Sequence, residues 1–275
     1  MRQINREIPP FDGKQSEYHG FRRYDSMLNG CPVIVVEPKH VADNYPWIWR
    51  AAYFDHQPEV DLALLMKGFF LVFIDTGESY ACPDAMAHWD ALYRQLTTKH
   101  GFSPKPALEG LSIGGLFAYT WAINHPDWVG CIYADNPVCD FKSCPGGKGR
   151  GPGLPSLWKK LIKCYHFQSE AEALACKSNP IDNLKPLADA HIPLLHVCGD
   201  ADEVVSYEDN TMTLKQRYEQ FGGKIEIIVK KGGLHHPHGL DNPTPIINFI
   251  LTHAGFIART FRINNEGCHA YPKNN

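Results

Sequence analysis

The segment Gly110-Leu-Ser-Ile-Gly114, followed directly by Gly115, most constrains how this chain can fold. It lies between an apolar run that predicts a strand and a pattern that predicts a helix, so the chain must turn sharply at Ser112. Such a turn forces unusual backbone angles on the serine and leaves little space for neighbouring side chains, which favours glycine. We therefore expect Ser112 Oγ to project from a sheet edge and the amide of Ile113 to face a developing oxyanion.

Short β-rich runs alternate with helical stretches along the chain, which predicts a mostly parallel sheet covered by helices on both faces. Besides the strand before Ser112, strands are predicted at 32–37, 69–74, 129–134, 192–197 and 224–229. Helices are predicted at 60–67, 84–100, 113–125, 156–166, 169–177, 208–221 and 244–253. The pair Asn29-Gly30 predicts the tight turn of a hairpin.

The chain is long enough for a large core, and we expect residues 1–275 to form one α/β domain. The segment 144–153 is rich in glycine and proline, which predicts a loop, and two short helical stretches follow it. We interpret residues from about 141 to 187 as an insertion over the carboxyl edge of the sheet. This insertion is expected to form a small cap rather than a separate domain.

The composition argues against nucleic-acid and membrane partners and against secretion. The net charge of −3 gives no reason to expect nucleic acid or an anionic membrane as partner. No apolar run is long enough for a membrane span, and the polar first twenty residues show no signal peptide, so a cytoplasmic location is expected. A leader that had already been removed would leave the same sequence. The nine cysteines form no CxxC motif, which favours reduced thiols, although Cys139 and Cys144 bracket a loop and could pair.

An acid and a base follow the serine in the chain. Asp202 comes just after a predicted strand and beside a glycine turn, where α/β enzymes place an orienting carboxylate. Asp200 is better placed to cap that turn. After the next strand, the loop 231–238 carries three histidines, and His235 or one of its neighbours is the predicted base. The order serine, aspartate, histidine is the one expected for a nucleophile at such a turn.

Three histidines on one loop could also bind a metal ion. Structural zinc sites normally use four ligands, and the loop contains no accompanying cysteine or carboxylate at a matching spacing. The sequence therefore predicts no metal.

A second oxyanion donor is expected from the loop after strand 32–37, where the candidates are Lys39, His40 and Trp47. Trp47 and Trp49 could form an aromatic wall for a sugar or aryl group, and Arg50 could meet a carboxylate. Core packing for the tryptophans and a surface ion pair for the arginine are the alternatives. The loop cations Lys142, Lys148 and Arg150 could attract an anionic substrate, although solvated charge explains them better.

Taken together, these segments resemble the α/β-hydrolase superfamily, and more narrowly the single-domain bacterial hydrolases of the prolyl-oligopeptidase and acetylxylan-esterase type. The resemblance covers residues 29–254. Its marks are the segments 46–50 (PWIWR), 110–115 (GLSIGG), 135–140 (DNPVCD), 199–202 (GDAD) and 235–238 (HHPH). It implies an α/β-hydrolase fold with Ser112 as nucleophile, Asp202 as acid and His235 as base. The family usually has glycine before this histidine, whereas this chain has Leu234, so His236 stays open as base or as a substrate-binding residue.

The function expected from the sequence is a serine esterase that works through an acyl-enzyme without a cofactor. The expected substrate is a small-molecule or oligosaccharide ester, for example a carbohydrate ester or another plant-derived ester, and the protein could form a homo-oligomer. A serine peptidase acting on short peptides is the alternative. A non-catalytic binding protein on the same fold is the alternative from a different class, since a fold does not determine a function.

Overall fold

The computed structural model describes residues 9–254, which contain a single nine-stranded sheet. The strands are β1 (Lys14–Tyr18), β2 (Phe21–Leu28), β3 (Cys31–Glu37), β4 (Trp47–Arg50), β5 (Phe70–Ile74), β6 (Ala107–Leu111), β7 (Cys131–Asp135), β8 (Leu194–Gly199) and β9 (Ile225–Lys230). Their order across the sheet is β1-β2-β3-β5-β4-β6-β7-β8-β9. The strands from β5 to β9 in this order run parallel, whereas β1, β2 and β3 pair antiparallel with their neighbours.

All but one of the α-helices within residues 9–254 fall close to predicted segments; the exception is the short helix Lys185–Asp189, which was not predicted. The helices are α1 (Glu59–Met66), α2 (Pro83–Arg94), α3 (Gly114–Asn124), α4 (Pro155–Cys164), α5 (Glu170–Ala175), α6 (Lys185–Asp189), α7 (Thr213–Gln220) and α8 (Thr244–His253). The predicted helix 84–100 continues beyond α2 as a wider π-helical turn at Gln95–Lys99. None of the helices within residues 9–254 is long and apolar enough to cross a membrane.

Side chains alternate between two apolar layers because successive residues of a strand point to opposite faces of the sheet. On β3, Val33 and Val35 belong to one buried cluster, whereas Ile34 and Val36 belong to the other. Helices α2, α3 and α7 contribute to the first cluster, and helices α1 and α8 to the second. The prediction of a mostly parallel sheet with helices on both faces is therefore confirmed.

The hairpin between β2 and β3 turns at Asn29-Gly30, as the sequence predicts. Both residues have positive φ, 49° and 85°, which a tight two-residue hairpin turn requires. Because β3 then pairs antiparallel with β5, the chain leaves β3 at the amino end of the parallel strands. There, the amide of Ala42 donates to the carbonyl of Gly68, which comes just before β5.

Strand β4 was not predicted, and it decides the layout of the site. Its four residues insert between β5 and β6, parallel to both, and all four are buried. The loop that leaves β4 at Ala51 therefore lies at the carboxyl edge of the sheet, beside the turn that contains Ser112. The amide of Ala51 donates to the carbonyl of Glu109 on β6, which fixes the start of this loop.

The segment 141–187 shares the core of the sheet. Phe141, Trp158 and Leu161 belong to the buried cluster that α2 and α3 also form. The hydroxyl of Tyr165 donates to the carbonyl oxygens of Tyr80 and Ala81, which ties the end of α4 to the loop before α2. These contacts agree with an insertion that has no separate core, and its role as a cap remains a prediction.

Candidate active site

Ser112 occupies the sharp turn between β6 and α3. Its φ of 50° is a conformation that L-residues rarely adopt, and its amide donates to the carbonyl of Asp135 on the neighbouring strand at 2.9 Å. A Cβ at Gly110 would lie 2.9 Å from the backbone of Gly114, and one at Gly115 would lie 2.5 Å from Pro137 Cβ. The glycines around the serine are therefore required by the close approach of strand, turn and helix.

Ser112, His235 and Asp202 meet at the carboxyl edge of the sheet. His235 Nε2 lies 3.0 Å from Ser112 Oγ, and His235 Nδ1 lies 2.7 Å from Asp202 Oδ2. The three side chains follow the ends of β6, β8 and β9. Ser112 and His235 are 123 residues apart in the sequence, and Asp202 and His235 are 33 residues apart. The arrangement allows His235 to take the Ser112 proton while Asp202 orients the ring.

Asp202 is held by its own turn. Its Oδ1 accepts hydrogen bonds from the amides of Val204 and Val205 at 2.8 and 2.9 Å, and its side chain is 1% exposed. The carboxylate is thereby fixed with Oδ2 directed at His235. The neighbouring Asp200 accepts instead from the amide of Gly232 at 2.6 Å, so it joins the turn after β8 to the histidine loop.

The histidine loop is bound to the end of β7. Asn136 donates from Nδ2 to the carbonyl of His235 at 2.8 Å and accepts at Oδ1 from the amide of Gly199 at 2.8 Å. Asp135 accepts from the amide of Gly239 at 2.8 Å and contacts His238 Nδ1 at 2.7 Å. Asp135 and Asn136 were noted in the sequence only as part of a family motif, since nothing local shows that they reach residues about 100 positions away.

The choice between His235 and His236 follows from their positions. His235 is buried and contacts both Ser112 and Asp202, whereas the ring of His236 is exposed and packs edge-on against His235 with centroids 4.8 Å apart. His236 is thus beside the site, where a role in substrate binding remains a prediction.

The expected source of a second oxyanion donor was wrong. Lys39, His40 and Trp47 lie at the amino end of the parallel strands, because β3 is antiparallel to β5 and β4 begins with Trp47. Trp47 is level with the start of β6, roughly 20 Å along the sheet from Ser112. The Lys39 ammonium lies over the ring of Phe21 at 5.5 Å. The error arose because the loop was assigned to the wrong strand.

The substrate roles considered for Trp47, Trp49 and Arg50 are also wrong, since all three side chains are fully buried. Trp47 donates its indole N–H to the carbonyl of Ser103 at 2.8 Å. Trp49 stacks on Trp89, with the ring centroids 4.2 Å apart. The tryptophans are therefore core residues.

Arg50 is the last residue of β4, and its side chain holds the loop that follows this strand. Its guanidinium contacts Asp61 Oδ2 at 2.5 Å and Glu109 Oε1 at 3.4 Å, so its charge is paired within the core. It also donates to the carbonyl oxygens of Tyr53, at 3.0 Å, and of His56. Arg50 thus fixes the conformation of this loop through its hydrogen bonds and does not bind a substrate.

Tyr53 is a site residue that the sequence did not reveal. It lies on the loop after β4, with its side chain beside Ser112. Burial raises the pKa of the Tyr53 hydroxyl above its ordinary value, and the neighbouring Ser112 side chain opposes that rise. The hydroxyl is therefore protonated at neutral pH and available as a donor. Recognising β4 as a parallel strand would have placed Tyr53 here.

The amide of Ile113 is the other candidate donor. It lies at the start of α3, where the helix dipole favours negative charge. Among the hydrogen bonds of residues 9–254, the Ile113 amide donates none. The predicted position of this amide beside the serine is thus realised, and its role toward an oxyanion remains a prediction.

Known structures share this fold at low sequence identity. A puromycin-hydrolyzing peptidase of Mycobacterium tuberculosis superposes with a TM-score of 0.65 at 15% identity, over 86% of this chain and 40% of that chain. Porphyromonas gingivalis dipeptidyl peptidase 4 gives a TM-score of 0.61 at 15% identity, over 86% and 36%. Est1E from Butyrivibrio proteoclasticus gives 0.60 at 16% identity, over 84% and 98%.

The chain therefore spans only 40% and 36% of the length of these two peptidases. No protein-family model and no curated protein sequence matches it. The structural likeness and the sheet topology confirm the α/β-hydrolase fold predicted from the sequence.

Proposed function

We propose that this protein is a serine hydrolase of the α/β-hydrolase type that cleaves carboxylic esters through an acyl-enzyme. The observation that carries the proposal is the continuous hydrogen-bonded chain from Ser112 Oγ through His235 to Asp202, with distances of 3.0 and 2.7 Å. The shared fold with two peptidases and with Est1E supports assignment to the hydrolases. The narrower resemblance to the prolyl-oligopeptidase and acetylxylan-esterase type belongs to this proposal.

In the first step, neutral His235 accepts the Ser112 proton at Nε2 as Oγ bonds to the substrate carbonyl carbon. His235 Nδ1–H donates to Asp202, which stabilises the imidazolium that forms. The carbonyl oxygen gains a negative charge, and we propose that the Ile113 amide and the Tyr53 hydroxyl donate hydrogen bonds to it.

The protonated His235 then gives its proton to the leaving alkoxide, and the carbonyl re-forms as an acyl-Ser112. In the second half of the reaction a water molecule loses a proton to His235 and attacks the acyl carbon, which releases the carboxylic acid and restores Ser112. The same three side chains therefore serve both halves.

Esters are the substrates that this site would cleave most easily, because an alkoxide is a better leaving group than the nitrogen of an amide. Tyr53 and Leu234 are 49% and 57% exposed, so the mouth of the site is open and could admit a bulky alcohol such as a sugar. A peptidase acting on short peptides is the second candidate, and it is favoured by the structural likeness to two peptidases.

We also infer that the protein works in a reducing compartment such as the cytoplasm. The eight cysteines within residues 9–254 are free thiols, Cys139 and Cys144 among them, which supports this inference.

The first test is covalent labelling with a fluorophosphonate, followed by mass spectrometry of the labelled peptide. We expect the label on Ser112 and no label on Ser112→Ala. Ser16→Ala, on the exposed edge strand β1, is the matched control and should label normally. Labelling of Ser112→Ala equal to that of the control would contradict the proposal.

Ester and amide substrates are separated by a panel with matched acyl groups. p-Nitrophenyl acetate and acetylated sugars should be hydrolysed faster than aminoacyl p-nitroanilides of comparable size. Faster cleavage of the anilides would assign the site to peptides. Ligand-induced stabilisation without turnover of either series would favour a binding protein.

A further inference from the structure

Three histidines outside the catalytic triad come together beside it. His236 and His238 lie on the histidine loop, and His56 lies on the loop after β4. Their ring nitrogens lie within 4.8 Å of one another. The ring centroids are 4.8 Å apart for His236 and His238, and 5.9 and 5.8 Å apart for the two pairs that include His56.

His238 is oriented by a buried carboxylate. Its side chain is 1% exposed, and its Nδ1 lies 2.7 Å from Asp135 Oδ1, whose own side chain is fully buried. Within the described part of the chain, no hydrogen bond is made to His238 Nε2. A histidine that donates from one ring nitrogen to a carboxylate and leaves the other free is the arrangement in which histidine binds metals.

His56 is brought to the histidine loop by fixed contacts on both sides. Gln57 Oε1 accepts from the amide of His238 at 2.6 Å, which joins the two loops directly. The carbonyl of His56 accepts from the buried Arg50 guanidinium. The position of His56 beside His238 is therefore part of the fold.

The chemistry of the rings agrees with metal binding. The ordinary pKa of imidazole is about 6.5, so histidine rings are largely neutral at pH 7. Neutral imidazole is the form that binds a metal ion. His235 is not available as a ligand, since Ser112 and Asp202 occupy both of its ring nitrogens.

We propose that His56, His236 and His238 form a binding site for a divalent transition-metal ion of the zinc class. The sequence argument against a metal considered only the histidine loop, and the third ligand comes from a segment about 180 residues earlier.

The three nitrogens are within reach of such an ion. Tetrahedral zinc with bonds of about 2.05 Å requires nitrogens about 3.4 Å apart. The rings of His56 and His236 are exposed and can turn to close the present separation, whereas His238 is fixed. A cavity of about 440 Å³, lined by Gln57, His236 and His238, leaves room for water or a substrate group at the fourth position.

The test is calorimetric titration of the full chain with Zn²⁺ after treatment with a chelator. We expect one equivalent to bind with micromolar or tighter affinity, and at least tenfold weaker binding to His56→Ala and to His236→Ala. His166→Ala is the matched control, since His166 is a highly exposed histidine on the segment 141–187, and it should bind zinc normally. Mg²⁺, which prefers oxygen ligands, should not bind.

Cysteine thiolates are the competing ligands, and Co²⁺ substitution distinguishes them. Co²⁺ bound by imidazoles shows ligand-field absorption without a thiolate-to-metal charge-transfer band. Zinc binding that is unchanged in both histidine variants, or a thiolate band in the cobalt protein, would overturn the proposal.

An effect on catalysis follows if the proposed function also holds. A divalent ion at this site would lie beside His235, whose centroid is 4.8 and 5.1 Å from those of His236 and His238. Its charge would oppose formation of the His235 imidazolium, so saturating zinc should lower kcat at least tenfold in the parent protein and not in His56→Ala. Zinc binding is also measured on Ser112→Ala, which does not depend on hydrolytic activity. The metal proposal can therefore be tested even if the hydrolase proposal fails.

Discussion

Single residues show where local sequence is informative and where it misleads. Ser112 and Asp202 could be identified because each depends on turn chemistry that its neighbours encode. Arg50 could not, because a charged residue at the end of a short run suggests a surface position. Its charge is instead paired with Asp61 in the core, and it also contacts Glu109, whose carboxyl pKa is raised well above its ordinary value by burial.

Tyr53→Phe tests the role of the tyrosine hydroxyl. Loss of one oxyanion donor lowers kcat by roughly 10²–10³-fold in comparable sites. Because the Tyr53 side chain is partly solvated, we expect a decrease of roughly 10–100-fold, with KM changed little and the free energy of unfolding nearly unchanged. Steady-state kinetics on a p-nitrophenyl ester measure this, with Tyr207→Phe as control. An unaltered kcat in Tyr53→Phe would remove the hydroxyl from the mechanism.

Among the secondary-structure elements, strand β4 is the most consequential error of the sequence analysis. Strand β5 was predicted because it is a continuous apolar run, whereas β4 has only four residues and ends in arginine. Without it, the loop that carries Tyr53 and His56 had no assigned place, and the oxyanion donor was sought at the opposite sheet edge. The prediction of Ser112, Asp202 and His235 did not depend on β4, because these residues follow β6, β8 and β9, which were assigned correctly.

Asn136→Ala tests whether the end of β7 positions the histidine loop. Asn136 bonds the carbonyl oxygens of Leu234 and His235 and the amide of Gly199, and it is 3% exposed. Its removal leaves buried groups unsatisfied, so we expect the free energy of unfolding to fall by about 2–3 kcal/mol and kcat to fall roughly tenfold as His235 loses its fixed position.

Urea unfolding and steady-state kinetics measure the two effects of Asn136→Ala. Asn124→Ala, an exposed position at the end of α3, provides the control and should change neither. A stable Asn136→Ala protein with normal kcat would show that the loop holds itself in place.

The whole molecule contains a buried histidine outside the site, which couples stability to pH. His196 on β8 contacts the Tyr119 hydroxyl at 2.7 Å and Thr211 Oγ1 at 2.9 Å, and burial lowers its pKa from 6.5 to about 3. His196 is therefore protonated below about pH 6.5 in the unfolded chain, but only below about pH 3 in the folded protein. Stability from this group is complete above pH 6.5 and decreases as the pH falls through that window.

We expect His196 to account for a loss of about 2 kcal/mol in the free energy of unfolding between pH 7 and pH 5. Urea unfolding at both pH values measures this loss. The variant His196→Gln should show a smaller decrease over the same interval, whatever its stability at pH 7. Equal decreases in the two proteins would show that His196 titrates normally in the folded state.

Asp135 links the two reacting groups through one strand end. Its carbonyl fixes the Ser112 amide, and its carboxylate fixes His238 and Gly239 on the loop that carries His235. The distance between Ser112 and His235 is therefore tied to the end of β7. If the protein is the proposed hydrolase, substitutions among residues 141–187 should change which acyl or alcohol group is accepted more than they change the rate of the chemical step.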